Sequence, residues 1–224
     1  AVGMMHSASK MGPVELATSG FGQGISVTPL QLLSALCAVA NGGTLMQPML
    51  VREVIDESGA SVRKIAPTRI RQAISERSAR QLSTILQSVV VNGSGARAAV
   101  PGYAVAGKTG TAQKPERGGY GDKRIASFMG YAPANDPRIA VLVVLDEPKT
   151  DVKYGGVLAA PAFAAVIADV MRYMEIPPTY AASVPSPESD SGLQVVPNLF
   201  GLAQPEARAS LKAAGLVCRA EGAG

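Results

Sequence analysis

Ala104-Val-Ala-Gly-Lys-Thr-Gly-Thr-Ala-Gln113 constrains this chain more than any other stretch. It is short and small-residued, with one cation between two glycines and two hydroxyls just after it. With Gly102 and Tyr103 in front, it matches the phosphate-loop pattern GxxxxGK[ST] at Gly102–Thr109. The same residues also read as an edge strand that docks a carboxylate. The two readings demand incompatible local structures, so the flanking chain decides between them.

A phosphate loop needs a buried strand before it and a helix that starts at the lysine, whose N-terminus holds the phosphate. Here Pro101 sits where the strand should end, and Tyr-Ala-Val-Ala is strand-like filler. Gly110, Pro115, Gly118 and Gly119 follow the lysine and cannot sustain a helix. Asp146, the candidate magnesium-binding acid, closes the second arm of a hairpin rather than a parallel strand. The nucleotide reading therefore fails on context.

As a strand, residues 104–113 present the Lys108 ammonium beside the hydroxyls of Thr109 and Thr111. Gly110 removes a side chain, so a peptide can lie against the backbone as an added strand. Cation plus hydroxyls suit a C-terminal carboxylate. A free Thr111 N–H would polarise a carbonyl as half of an oxyanion hole. The plainer alternative is an ordinary strand that ends in a solvated lysine, and a lone Lys-Thr-Gly does not separate the two.

Around this stretch the chain reads as scaffold. Its 224 residues allow one sizeable domain and a small second one, and 47% hydrophobic against 17% charged residues predicts a packed core. Absence of Trp and a formal charge of only +4, with no dense basic run, argue against nucleic acid. The apolar run Val157–Met171 is broken by Pro161 and Asp169 and falls short of the ~20 residues of a membrane span. No signal peptide is visible, and residue 1 begins mid-pattern. Cys37, in an apolar helical pattern, is expected buried, without a disulfide to Cys218. His6 is expected at the surface, and no cluster suggests a metal.

Leu16–Gly24 reads as a loop. Thr28, Pro29 and Gln31 open a helix that Asn41-Gly42-Gly43 ends. Residues 44–66 read as short strands, with Leu50–Asp56 and Ser61–Ile65 joined by a turn. A helix from Ser75 to Asn92 aligns Leu82, Ile85, Leu86, Val89 and Val90 on one core-facing stripe. After the Lys108 strand, residues 114–123 read as a solvated loop. Ile125–Ala132 and Arg138–Leu145 read as hairpin arms, the second buried on both faces, and Ala160–Glu175 as a helix with Phe163, Val166, Ile167 and Val170 inward. The order implies an α+β fold, an antiparallel sheet flanked by helices. Residues 177–193 are a Pro/Ser-rich linker, and 194–224 a small C-terminal segment of strand, turn and helix.

Four segments carry a wider resemblance. Leu16-Ala-Thr-Ser-Gly-Phe-Gly-Gln-Gly-Ile-Ser-Val-Thr-Pro-Leu-Gln31, Ala106–Gln113, Ser127-Phe-Met-Gly-Tyr-Ala-Pro133 and Gly155-Gly-Val-Leu-Ala-Ala-Pro-Ala-Phe163 resemble class B penicillin-binding proteins, in the family's order. Lys-Thr-Gly is a signature of such proteins and of class A β-lactamases, alongside Ser-x-x-Lys and Ser-Asp-Asn. Val196–Leu216 resembles the first half of a PASTA module. Residues 1–176 would then be the C-terminal part of a transpeptidase domain with the serine β-lactamase-like fold.

The resemblance implies a membrane-anchored, extracytoplasmic D,D-transpeptidase that cross-links peptidoglycan stem peptides through an acyl-serine and is acylated by β-lactams. Lys108 and Thr111 would be catalytic, and Thr109, Gly110, Thr111 and Gln113 would bind substrate, with no cofactor. Tyr154, Gly155 and Gly156 would approach the site from the next loop. No Ser-x-Asn occurs in the chain, and the two Ser-x-x-Lys matches, Ser7–Lys10 and Ser61–Lys64, lack the helix start that the lysine base requires. The nucleophile and the anchor are therefore expected in an N-terminal remainder of the same protein, and this piece alone is expected to be inactive. A non-catalytic muropeptide- or β-lactam-binding scaffold and a β-lactamase-like hydrolase remain the alternatives.

Overall fold

The computed structural model describes residues 3, 4, 7, 11–20, 22–116, 119–179, 197, 199 and 204–216. The chain divides into two units, Ala1–Thr179 and Tyr180–Gly224. The larger runs α1 (Pro13–Ser19), α2 (Pro29–Ala40), β1 (Thr44–Met46), β2 (Glu53–Ile55), β3 (Ser61–Lys64), β4 (Arg69–Gln72), α3 (Glu76–Asn92), a 3-10 turn (Ala96–Ala98), β5 (Ala106–Glu116), β6 (Gly119–Ala132), β7 (Ile139–Asp146) and α4 (Gly155–Tyr173). The smaller unit contains α5 (Gln204–Ala213). It closes with Gly215 at φ 72°, where Leu216 N donates to Leu211 O, the Schellman arrangement expected of a glycine stop. The strand expected around Val196–Leu202 (apart from residues 197 and 199), the linker core, His6 and Cys218 lie outside the described residues.

The helix starts follow from their caps. The Thr28 hydroxyl accepts from Gln31 N at 3.2 Å while Gln31 Oε1 accepts from Thr28 N at 2.9 Å, a reciprocal capping box ahead of Pro29. The Ser75 hydroxyl accepts from Ser78 N at 3.1 Å and opens α3.

The central sheet is antiparallel with order β5-β6-β7. β1 pairs with β4 and β2 with β3 in two small antiparallel sheets. Alternation along β6 separates two cores. Phe128 and Ala132 face α4, whose Ala159, Ala160, Phe163, Ile167 and Met171 are buried against them. The Phe128 and Phe163 rings lie 4.8 Å apart at 55°. Met129 and Tyr131 face α2, packing with Leu36, Leu33 and Ala40 and with Leu86 of α3. The sheet is thus covered by helices on both faces, the α+β architecture expected.

Several expectations are corrected. Leu16–Ser19 are helical, because Pro13 fits a first turn that Glu15 caps through Gly12 N at 3.1 Å. β4 was not anticipated; its residues are all exposed and show no alternation. Residues 114–116 and 119–123 are not loop: they extend β5 and β6, paired as Pro115 with Tyr120 and Glu116 with Gly119, with a register shift between Gln113 and Pro115. β7 is half-buried, not buried on both faces, because it is an edge strand among the described residues, and Val144 is 42% exposed.

α4 starts at Gly155, five residues before the expected position, with Pro161 inside it and Val166 exposed. At 19 residues it is long and apolar enough to cross a membrane by length and composition, but it packs its large side chains on the sheet as a core helix does. Cys37 is a free, exposed thiol, since α2 turns Leu36 and Ala38 inward instead. On α3, Leu82 and Ile85 are exposed, and Ala79 and Val90 are the buried pair.

Candidate active site

β5 has one hydrogen-bonded neighbour, β6, among the described residues. Its other edge leaves backbone donors and acceptors open to an added strand. In register, Lys108 lies across from Met129, Thr109 from Phe128, Gly110 from Ser127, Thr111 from Ala126 and Gln113 from Arg124. Pleat alternation puts Thr109, Thr111 and Gln113 on the α4 face, and Lys108 and Gly110 on the α2/α3 face.

The exposed Lys108 ammonium folds back on the strand. Nζ donates to Thr109 O at 3.0 Å and to Thr109 Oγ1 at 3.2 Å. Thr109 Oγ1 also shares a hydrogen bond of 3.0 Å with Ser94 Oγ, from the loop after α3. A cation and two hydroxyls therefore form one connected group on the strand.

The N-terminus of α4 meets the same strand. Gly155 N, the first helical amide, donates to Thr111 Oγ1 at 3.2 Å. That bond satisfies one of the donors a helix start leaves open and aims the positive end of its dipole at β5. The approach is as close as backbones permit. A Cβ on Gly155 would collide with Ser127 O and Gly110 O, and one on Gly156 with Ser94 O. A Cβ on Gly110 would collide with the Ser127 hydroxyl.

The structure therefore brings Lys108, Thr109, Gly110 and Thr111 together, with Gly155 and Gly156 packed against them. Gln113 is exposed further along the strand, where Nε2 reaches Gly121 O at 3.4 Å. Tyr154 is the residue before α4 and is 45% exposed. Ser94 and Ser127 were missed. Ser94 stands alone between glycines, and Ser127 opens one of the resembling segments but was given no role there; it lies across the strand from Gly110.

Beyond the site, Lys114 Nζ lies 2.6 Å from Asp146 and 2.9 Å from Glu147, and Lys123 lies 3.6 Å from Glu147. The hydrogen bonds that Lys114 donates to Asp146, then to Glu147, raise its pKa. The Lys114 hydrogen bond holds Glu147 below the usual carboxylate range. Asp146 and Glu147 thus pair with lysines at a strand end, and Lys123 is not merely solvated.

Ser61 sits in the exposed β2–β3 hairpin, and Lys64 pairs with Glu53 at 4.0 Å. Lys10 lies outside the described residues. The phosphate-loop reading fails, because Lys108 is followed by strand to Glu116 and not by a helix. No group of three metal-ligating side chains occurs among the described residues.

The chain is similar to known proteins. Residues 1–168 match the penicillin binding protein transpeptidase domain. The chain is 43% identical over 178 residues to stage V sporulation protein D of Bacillus subtilis, covering 79% of this chain. It is 35% identical to the peptidoglycan D,D-transpeptidase FtsI of Escherichia coli, again over 79% of the chain. The chain spans only 28% of the length of each of these relatives.

Among solved structures, it is similar to the apo transpeptidase domain of Burkholderia pseudomallei penicillin-binding protein 3, with TM-score 0.68 and 37% identity, covering 80% of this chain and 52% of that one. It is also similar to Mycobacterium tuberculosis penicillin-binding protein 3 complexed with ampicillin, with TM-score 0.69 and 30% identity, covering 83% of this chain and 42% of that one. The chain belongs to the class B penicillin-binding proteins and carries their transpeptidase domain over residues 1–168.

Proposed function

We propose that this chain is the substrate-docking part of a peptidoglycan D,D-transpeptidase. The free edge of β5 takes the C-terminal end of a stem peptide as an added antiparallel strand. Lys108, Thr109 and Thr111 receive the terminal carboxylate through a charge-assisted hydrogen bond and two hydroxyls. Gly110 lets the ligand backbone approach. The Thr111 N–H donates to the carbonyl oxygen of the penultimate residue and stabilises the negative charge that develops there. Gln113 contacts the peptide further upstream.

The observation that carries this reading is the connected group Lys108–Thr109–Ser94 on an edge strand that is braced by the start of α4. A β-lactam carries a carboxylate beside its reactive carbonyl and fits the same edge. The attacking serine comes from another part of the full-length protein. It forms the acyl-serine as the terminal residue leaves, and an amine of a second stem peptide then takes the acyl group. The reaction occurs on the extracytoplasmic face of the cell membrane, where peptidoglycan lies, with the protein anchored outside this chain.

The test compares fluorescent-penicillin labelling of the full-length protein with that of this chain. The expected result is a covalently labelled full-length protein and an unlabelled chain. Labelling of the chain itself would place a nucleophile within residues 1–224, at Ser7 or Ser61, and overturn the division of roles.

A further inference from the structure

The turn after α3 carries a single side chain between two glycines, Gly93-Ser94-Gly95, and its neighbours fix its place. Gly95 N donates to Val89 O at 3.0 Å, and a Cβ on Gly95 would press on the Phe128 ring at 3.2 Å. On the other side, a Cβ on Gly156 would collide with Ser94 O and crowd Thr109 Cγ2 at 3.2 Å. Ser94 is thus held between the end of α3, the first turn of α4 and β5, with its Oγ 3.0 Å from Thr109 Oγ1.

The direction of that hydrogen bond decides what Thr109 offers to a ligand. A hydroxyl has one proton to donate and two lone pairs to accept with. Lys108 Nζ carries donors only, and its bond to Thr109 Oγ1 at 3.2 Å occupies one lone pair. Were Thr109 to give its proton to Ser94, it would face an incoming carboxylate with an oxygen lone pair, and the two would repel. With Ser94 as the donor, both Thr109 lone pairs are filled and its one proton is free for the carboxylate. Each bond then polarises the next, so a chain that runs from Ser94 through Thr109 strengthens the last contact.

This deepens the docking reading above and rests on it: we propose that Ser94 is a positioning residue for the carboxylate end of the ligand. Its hydroxyl donates to Thr109 and so aims the Thr109 proton at the carboxylate.

The experiment measures the second-order rate of acylation of the full-length protein by benzylpenicillin and by its methyl ester, each in competition with fluorescent penicillin. The ester keeps the reactive carbonyl and lacks the anionic carboxylate, so the ratio of the two rates reports carboxylate docking. Ser94→Ala is expected to lower that ratio roughly fivefold, the scale of one hydrogen bond, with an unshifted melting temperature, and Ser94→Thr to restore it. In a Thr109→Ala background, Ser94→Ala should lower the ratio no further, because the hydroxyl through which it acts is gone. A loss that falls equally on penicillin and its ester, a Ser94→Thr variant as poor as Ser94→Ala, or equal losses in the wild-type and Thr109→Ala backgrounds overturns the positioning role. A ratio lowered by Lys108→Ala and Thr109→Ala but unchanged by Ser94→Ala overturns the role of Ser94 alone. If Lys108→Ala and Thr109→Ala leave the ratio at its wild-type value, the docking reading itself fails and the role of Ser94 falls with it.

Discussion

Gly155 joins α4 to β5 at the scale of single atoms. An added Cβ there meets two backbone oxygens, Ser127 O and Gly110 O, neither of which can rotate away as a side chain can. Gly155→Ala should therefore destabilise the chain by roughly 1–3 kcal/mol, the usual penalty of overpacking, and break the bond from Gly155 N to Thr111 Oγ1. Urea unfolding measures the change; an unaltered midpoint would mean that α4 is not seated on the strand. Lys108, Thr109, Gly110 and Thr111 were legible in the sequence because cation, hydroxyls and glycine sit within four consecutive positions of one strand. Ser94 was not legible, because its partner is Thr109, fifteen residues on, and a serine between glycines carries no pattern of its own. Cys37 was misplaced because helical periodicity marks a stripe and not its edges, and the inward residues of α2 are its neighbours Leu36 and Ala38.

The two helices opened by a hydroxyl cap, at Thr28 and Ser75, were read correctly. Thr28 and Ser75 cap their helices through contacts three residues away, well within what a sequence displays. The start of α4 was missed because Gly155 and Gly156 look like loop residues and are glycine only for the close approach to β5 and β6. The length of the β5–β6 hairpin was missed because Gly119 and Gly121 weaken strand propensity, while the ladder and the ion pairs at its flank offset that weakness. Lys114 reaches from β5 across β6 to Asp146 and Glu147 at the end of β7, so it clamps the three strands at one end. The Glu147 pKa is lowered in the folded state, so its contribution is present above the ordinary carboxylate value and lost as pH falls through the lowered one. The Lys114 pKa is raised, so its contribution is present below the ordinary lysine value and lost as pH rises through the raised one. The melting-temperature difference between wild type and Lys114→Met should therefore be greatest at intermediate pH, shrink toward both extremes, and diminish with added salt. A difference that does not vary with pH would contradict the clamp.

At the scale of the whole molecule, the antiparallel sheet and its helical cover were legible, because the sequence of helices and hairpins leaves few antiparallel arrangements. The outward placement of Leu82 and Ile85 on α3 was not, since a periodic stripe reports an apolar face and not what covers it. The same limit applies to the site: a strand edge shows where a peptide can be added and not which group attacks it. The central claim is that the β5 edge docks the carboxylate of the acylating ligand through Lys108. The most direct measurement is the second-order rate of acylation by fluorescent penicillin of the full-length protein, wild type against Lys108→Ala, with the fold of each checked by its melting temperature. The rate should fall by roughly 10²–10³-fold, the scale of losing one pre-aligned electrostatic contact in an active site. An unchanged rate in a folded Lys108→Ala protein would contradict the claim.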